Sequence, residues 1–188
     1  MKHFTFPIAI IFLALAGVTG IAQEHSTTTA ASTPQDQVTR DATREKLRSV
    51  LNAYGPKVNV TFRQNERNPY NFVGVMEGLK NSDSFEIVIT VSSQETIHFR
   101  IYPHYKGGYI NVDRVRNSLT LMRTMLLFGD KNFIYWGADD SGDVFAGYNF
   151  TLESGFPTAS INVVLNSIKN LDQYVGQLRP SIDGSAGL

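Results

Sequence analysis

The side chains that could do chemistry are few and lie far apart along the chain. The most concentrated set is the acidic stretch from Asp139 to Asp143, whose alternating oxygens resemble the start of a calcium-binding loop. Such a loop also needs a bidentate glutamate at its twelfth position, and that position is Phe150. Aspartate and glycine are equally typical of a tight turn between two strands. We therefore expect a hairpin turn here, and we predict no metal and no cofactor.

Histidines give no stronger signal of catalysis. His98 and His104 fall in the part of the chain that we expect to fold, but no carboxylate stands near them at a metal-ligand spacing. A nucleophile elbow, a His-Glu-x-x-His helix and a phosphate-binding loop are missing from the sequence. We therefore predict no catalytic residues. A hydrolase assembled from scattered groups such as His98, His104 and Asp143 is kept as an alternative, because triads need not be local in sequence.

Aromatic residues are the best candidates for contact with a partner. Tyr102, Tyr105 and Tyr109 surround a segment with two adjacent glycines, and Tyr135 and Trp136 belong to a second aromatic run. Tyrosine and tryptophan combine a large apolar surface with a polar tip, which suits them to interfaces. We predict these five residues as a partner-binding set. The same rings could instead cover the end of a sheet, or line a pocket for a small ligand or lipid.

The composition indicates one ordinary folded domain. The chain has 188 residues, of which 42% are hydrophobic and 18% charged, with 17 basic and 17 acidic side chains. This hydrophobic fraction supports a packed core, and the balanced charge lacks the basic surface of a dedicated nucleic-acid binder. The sequence contains no cysteine, which excludes disulfides, thiolate metal sites and thiol nucleophiles. We therefore predict no nucleic-acid partner.

The N-terminus has the pattern of a secretory signal. Lys2 precedes an apolar run from Phe6 to Val18, and Gly20 and Ala22 supply the small residues that a signal peptidase reads. The run is shorter than the roughly 20 residues of a bilayer-spanning helix. We expect a signal peptide over residues 1–22, a disordered spacer over 23–39, and no membrane span after cleavage. A cysteine-free exported chain of this size favours a bacterial periplasmic or secreted protein.

Hydrophobic periodicity predicts three helices. Apolar residues recur at helical spacing over about 41–54, 113–128 and 158–178. The second helix is apolar around much of its circumference, which predicts that it is the central one. Pro180 should end the third helix and leave residues 181–188 as a flexible tail.

Alternating hydrophobic residues predict strands grouped in hairpins. Because hairpins need no crossover helix, we predict an α+β fold in which an antiparallel sheet of about five strands packs with three helices. The order is α-β-β-β-α-β-β-α, in a single domain over residues 40–180. The strands are predicted at 70–79, 85–91, 97–101, 132–137 and 144–152, with room for a further short strand near 58–62.

The element order and the stretch from Leu119 to Phe150 resemble the YbjN-type bacterial domain. In that stretch an apolar helix (LTLMRTMLLF) leads into an aromatic strand, an acidic turn (DDSGD) and a second strand before the final helix. The resemblance covers about residues 41–180. It implies a fold similar to that of type III secretion chaperones and a role as a sensory-transduction regulator or binding module, with no established catalytic residues to carry over. The export signal departs from the usual members of the family.

Together these features predict an exported, non-enzymatic protein-binding, chaperone-like or regulatory module. Its partner would be another protein or a second copy of itself, held through the sheet face or an apolar helix surface. An exposed apolar patch would favour this hypothesis. Histidines and a carboxylate meeting in a cleft would favour the hydrolase, and a closed apolar cavity would favour the ligand or lipid binder.

Overall fold

The computed structural model describes residues 34–94, 96–131 and 133–184. The predicted signal peptide over 1–22 and most of the predicted spacer lie outside this range. No helix in the described part is both long enough and apolar enough to cross a membrane.

The described residues form three helical segments. The first is a long helix that begins seven residues before the predicted start at Asp41. The third, predicted as one helix over 158–178, consists of two helices, because a 3₁₀ turn interrupts it. The helices are α1 (Pro34–Tyr54), α2 (Ser118–Gly129), α3 (Thr158–Ser167) and α4 (Asp172–Asp183), with 3₁₀ turns at Gly55–Val58 and Ile168–Leu171.

One antiparallel sheet accompanies the helices, in the order β1-β2-β3-β4-β7-β6, with β5 pairing β4. The predicted α+β class is confirmed. The strand number is seven rather than about five, because two of the strands are only two residues long. The short strand expected near 58–62 starts later, at Arg63. The strands are β1 (Arg63–Gln64), β2 (Asn71–Met76), β3 (Ser84–Val91), β4 (Thr96–Tyr105), β5 (Gly108–Tyr109), β6 (Tyr135–Ala138) and β7 (Val144–Thr151).

The two faces of the sheet have different environments. Residues at odd positions of β3 and β4, such as Phe85, Ile87 and Phe99, are buried, apart from the partly buried Tyr105 at the end of β4. The apolar ones share one hydrophobic core with Leu47 of α1 and Leu165 of α3. Residues at even positions are partly buried or exposed, with Tyr102 as the buried exception. Since successive side chains of a strand point to opposite faces, the helices cover one face, and we call the other the open face.

The C-terminal helix continues past Pro180, which we expected to end it, and reaches Asp183. Its last turn is held by contacts with two other elements. The carbonyl of Ser181 accepts a hydrogen bond from the amide of Asn117 at 3.1 Å. The Asp183 carboxylate accepts hydrogen bonds from the Tyr105 hydroxyl at 2.9 Å and from Lys106 Nζ at 2.7 Å. Lys106 is the main reason that the pKa of Asp183 lies below its usual value. Residues 185–188 of the predicted tail lie outside the described range.

A buried carboxylate fixes the start of α4 to the loop before β3. Asp172 is almost fully buried, and its carboxylate accepts hydrogen bonds from the backbone amides of Lys80, Asn81 and Ser82 at 2.8–3.0 Å. The Ser82 hydroxyl at 2.8 Å and the Asn81 side-chain amide at 3.2 Å add two further donors. A buried ionised carboxylate is tolerated when several donors replace its lost water. Asp172 therefore connects elements that are about 90 residues apart in sequence.

Candidate protein-binding surfaces

Helix α2 is apolar on two sides, and the fold covers only one of them. Leu121, Met125 and Phe128 are buried in the core. The second set, at i, i+3 and i+7, faces outward: Leu119 is 75% exposed and Leu126 77%, with Met122 between them. The prediction that α2 is the central helix is therefore wrong. It lies at the side of the molecule, against α4 and the edge strand β6.

The start of α2 is five residues later than predicted, because a nearby asparagine is used elsewhere. Asn111 lies ahead of the helix, and its amide nitrogen donates to the carbonyl of Ser141 and to the carboxylate of Asp143, both at 2.8 Å. It thus fastens the preceding loop to the acidic turn. Asn117 caps the helix instead, its side-chain oxygen accepting from the amide of Thr120 at 3.1 Å. Because Asn111 is bonded to the turn, residues 113–117 precede the helix instead of forming its first turn.

We define the outer stripe of α2 as Leu119, Met122, Leu126 and Leu127. All four side chains are exposed, and Arg123 is the one charged residue of the helix. Isolated exposed leucines are common, but a contiguous row on one helix marks an interaction surface more often than chance exposure. The sequence contained this signal, because the two apolar sets of α2 are together too wide for one buried face.

Three of the five predicted partner-binding residues meet on the open face. Tyr102 lies next to Tyr109, with ring centroids 5.8 Å apart, and next to Phe145 at 5.7 Å. Phe145 in turn contacts Tyr135 at 6.0 Å. Gly147 makes the last contact possible, because a Cβ there would lie 2.6 Å from the Tyr135 ring. We call Tyr109, Tyr102, Phe145 and Tyr135 the aromatic row; Phe145 was missed, although its alternation with Val144 would have placed it here.

The other two predicted residues lie on the covered face. Trp136 packs against the rings of Phe128 at 5.6 Å and Tyr174 at 6.3 Å, inside the core. Tyr105 donates its hydroxyl proton to Asp183 and accepts a hydrogen bond from Arg179 Nε at 3.0 Å. The structure therefore does not bring the five residues together. Strand alternation separates Tyr105 from Tyr102, and Trp136 from Tyr135.

Two neighbouring tyrosines of the aromatic row, Tyr109 and Tyr102, have raised pKa values. Burial is the largest cause that raises the pKa of Tyr109, to about 12, and its hydrogen bond to Glu86 Oε2 at 3.0 Å adds to the effect. Burial also raises the pKa of Tyr102. Both hydroxyls therefore stay protonated at neutral pH and do not act as general bases; Tyr109 donates to Glu86, whereas Tyr102 accepts from Arg100.

The residues proposed for the alternative hydrolase do not meet. His98 and His104 are six residues apart on β4, which places them on the order of 20 Å apart along an extended strand. His98 contacts Asn149 Oδ1 at 2.9 Å, His104 packs on the Tyr109 ring at 4.3 Å, and Asp143 is held by Asn111. Among the described residues, no group of three or more His, Asp or Glu is placed to hold a metal.

The acidic turn has the geometry of a hairpin turn. Asp139 Oδ1 accepts hydrogen bonds from the amides of Ser141 and Asp143, both at 3.0 Å, and Gly142 has a left-handed φ of 80°. The turn joins β6 to β7, which pair in register. The prediction of a β-hairpin turn is confirmed, and the carboxylate of Asp139 is engaged in holding the loop.

Two pockets in the described part of the chain give little support to a binding site for a small ligand. An apolar groove between Phe133, Tyr148 and Val163 has a volume of about 210 Å³. This is below the range of roughly 300–1,000 Å³ typical of ligand pockets. A larger depression of about 420 Å³ beside β1 is lined mainly by polar side chains of residues 63–67. Neither is the apolar cavity that a lipid binder would need.

Comparison of the chain with protein-family models, with curated proteins and with solved structures finds no match.

Proposed function

We propose that this chain is an exported, non-enzymatic protein-binding module of the bacterial envelope, with the outer stripe of α2 as its contact surface. The observation that carries the proposal is the exposure of Leu119 and Leu126 on the same side of a helix whose opposite side is buried. The export part rests on the N-terminal signal pattern. The chaperone-like or regulatory part rests on the resemblance to the YbjN-type domain.

The energetics favour covering this stripe. Fully burying a leucine side chain stabilises by about 1.5–3 kcal/mol relative to leaving it in water, and two leucines here are three-quarters exposed. Four side chains are too few for an interface of roughly 1,000 Å² or more. The stripe therefore supplies the apolar centre of a larger contact, which would extend onto the neighbouring edge strand β6.

A second copy of the chain is the partner that this surface suits best. Leu119 stands at one end of the stripe and Leu126, beside Leu127, at the other, with Met122 between them. When two such helices pack antiparallel, Leu119 of one faces Leu126 of the other, which is the self-complementarity that a two-fold interface requires. The helix carries no acidic residue, so the pairing depends on apolar contact and not on ion pairs.

The test is the mass of the purified protein in solution as a function of its concentration, measured by sedimentation and light scattering. We expect a concentration-dependent dimer, and we expect Leu119→Gln/Leu126→Gln to be monomeric at the same concentrations. Val163→Gln is the matched control, because Val163 is exposed on α3, outside the stripe. A double variant that dimerises like the unaltered protein would exclude the α2 stripe.

A monomer at all concentrations would contradict the pairing but not yet the binding function. Affinity capture from envelope extract then decides, with the unaltered protein and the double variant compared as bait. A protein captured by the first and lost by the second supports a different partner at the same stripe. No reproducible partner, together with turnover in a hydrolase screen, would overturn the proposal.

A further inference from the structure

The open face carries a guanidinium group, that of Arg100, which forms no ion pair with any carboxylate of the described residues. Arg100 is exposed on β4, and its Cζ lies 4.7 Å from the centre of the Phe145 ring. Its hydrogen bond to the Tyr102 hydroxyl is long, at 3.5 Å. Among residues 34–94, 96–131 and 133–184, no carboxylate forms an ion pair with it. Most of its five N–H donors are therefore free for a ligand.

We propose that Arg100 and the aromatic row form a site for the carboxylate of an extended peptide segment from a partner protein. This site lies on the open face, away from the outer stripe of α2, and is independent of it. Guanidinium and carboxylate are planar groups that match in a two-point hydrogen-bonded pair. Stacking on Phe145 and contact with Tyr102 restrict the Arg100 side chain beforehand, so binding would cost less side-chain entropy than at a free surface arginine.

The neighbours of Arg100 suit a peptide. On one side Val88 stands opposite Arg100 in the β3–β4 register, and on the other Gly147 leaves room for the Tyr135 ring. Tyr109 and Tyr135 remain 43% and 40% exposed at the ends of the aromatic row. An apolar side chain next to the bound carboxylate would therefore cover ring surface that water now contacts.

The local charges favour a carboxylate over a phosphate. Phosphate sites combine several donors and charges, whereas Arg63, which shares a cross-strand row with Arg100 through Val73 and Val88, lies three strands away. The negative charge of Asp139 contributes to raising the pKa of both Arg100 and Tyr102. The Glu86 carboxylate also lies nearby and accepts a hydrogen bond from the Tyr109 hydroxyl. These two carboxylates would repel a doubly charged anion more than a singly charged one. The site therefore matches one carboxylate flanked by apolar groups.

The test compares two probes that differ in one group. The tripeptide Ac-Leu-Tyr-Leu is prepared with a free C-terminal carboxylate and as the C-terminal amide, and each is titrated into the full protein by NMR, following the Arg100 Nε–H and the Tyr135 ring signals. We expect the acid to bind at least tenfold more tightly than the amide and to shift both signals. Equal binding of the two, or no shift with either, would overturn the proposal.

Variants assign the effect to the guanidinium. Arg100→Gln should abolish the difference between acid and amide, and Arg100→Lys should keep only part of it, because lysine retains the charge without the planar fork. Arg123→Gln on α2 is the matched control and should behave like the unaltered protein. A difference that survives in Arg100→Gln would place the carboxylate elsewhere and overturn the site.

Inorganic phosphate separates the two kinds of anion. We expect it to compete with the acid tripeptide only at concentrations at least tenfold higher. Competition at equal concentration would show a general anion site and overturn the assignment to a peptide. The α2 variant Leu119→Gln/Leu126→Gln should leave the titration unchanged, so failure here and failure of the α2 proposal are distinguishable.

Discussion

Helices α2 and α4 pack against each other, yet the fold uses their apolar residues differently. In α4, Val175 and Leu178 are fully inaccessible to water. In α2, Leu121 is equally buried, but Leu119 and Leu126 on the opposite side stay in contact with water. Apolar residues at helical spacing thus contribute to the stability of the domain in one helix and present a surface to solvent in the other. The difference separates residues that fold the protein from residues that we expect to bind a partner.

The largest effect should come from the covered side. Leu178→Ala removes a side chain that is fully buried, and we expect a loss of about 2–5 kcal/mol in unfolding free energy from lost burial and the cavity left behind. Chemical denaturation followed by circular dichroism measures the change. A loss below about 1 kcal/mol would mean that α4 is covered less completely than the structure shows.

The second largest loss of unfolding free energy should come from removing the buried carboxylate of Asp172. Asp172→Ala leaves the amides of Lys80, Asn81 and Ser82 without their acceptor, in a buried contact at Ser82 and in partly buried contacts at the other two. Each buried unsatisfied donor costs about 1–3 kcal/mol, although water can reach some of them, so we expect a total loss of about 3 kcal/mol. The measurement is again denaturation, together with faster amide exchange confined to residues 80–82. Uniform exchange across the domain would indicate global destabilisation instead.

On the open face the effect should be smaller and more local. Gly147→Ala places a methyl group in the space of the Tyr135 ring, which is partly exposed and can swing outward. Small-to-large changes in packed sites cost about 1–3 kcal/mol, and we expect the lower end because the ring can move. NMR should show displaced Tyr135 and Phe145 signals. Unchanged ring signals would contradict the close contact across β7.

The outer stripe should show the smallest effect on stability. Leu126→Ala should change the unfolding free energy of the monomer by about 0.5 kcal/mol or less, because the side chain is already exposed. It should nevertheless weaken self-association, measured by sedimentation. Paired with Leu178→Ala, this variant tests the comparison directly. A large loss of monomer stability would mean that the stripe belongs to the core.

Alkaline pH should destabilise the aromatic row through Tyr109. The pKa of Tyr109 is about 12 in the folded protein against an ordinary value of 10.0, so folding favours the neutral hydroxyl. The associated stabilisation is fully present below pH 10 and is lost as the pH rises from 10 to 12. In a spectrophotometric titration, the Tyr109→Phe variant should lack the most alkaline phenol transition that the unaltered protein shows. Glu86→Gln should shift that transition to lower pH, because a charged acceptor is removed.

Much of the fold could be predicted because its signals are local. The alternation in β3 and β4 placed Phe85, Ile87 and Phe99 on the buried face, and the acidic turn between β6 and β7 was identified from its residue types. The errors came from contacts between distant residues. Asn111 is recruited by the turn near Asp143, so α2 starts later, and contacts of Asp183 with Tyr105 and Lys106 carry α4 past Pro180.

The candidate site was predicted only in part. Tyr102, Tyr109 and Tyr135 meet on the open face, and their role in binding stays a prediction. Tyr105 and Trp136 were grouped with them because they are neighbours in sequence, whereas adjacent strand residues point to opposite faces. Arg100 was not among the predicted residues, because nothing in the sequence shows that it stacks on Phe145, 45 residues away.

The sequence by itself determined the α+β class, the approximate places of the main helices and strands, their antiparallel hairpins, and which side chains share a face of their own element. These properties depend on spacing within a few residues. The tertiary structure decided which of those faces are covered. Strand β6 lies at the edge of the sheet and α2 beside it, so only one apolar side of α2 has a neighbour to bury it. Burial depends on the packing of elements distant in sequence, and periodicity within one element does not contain that information.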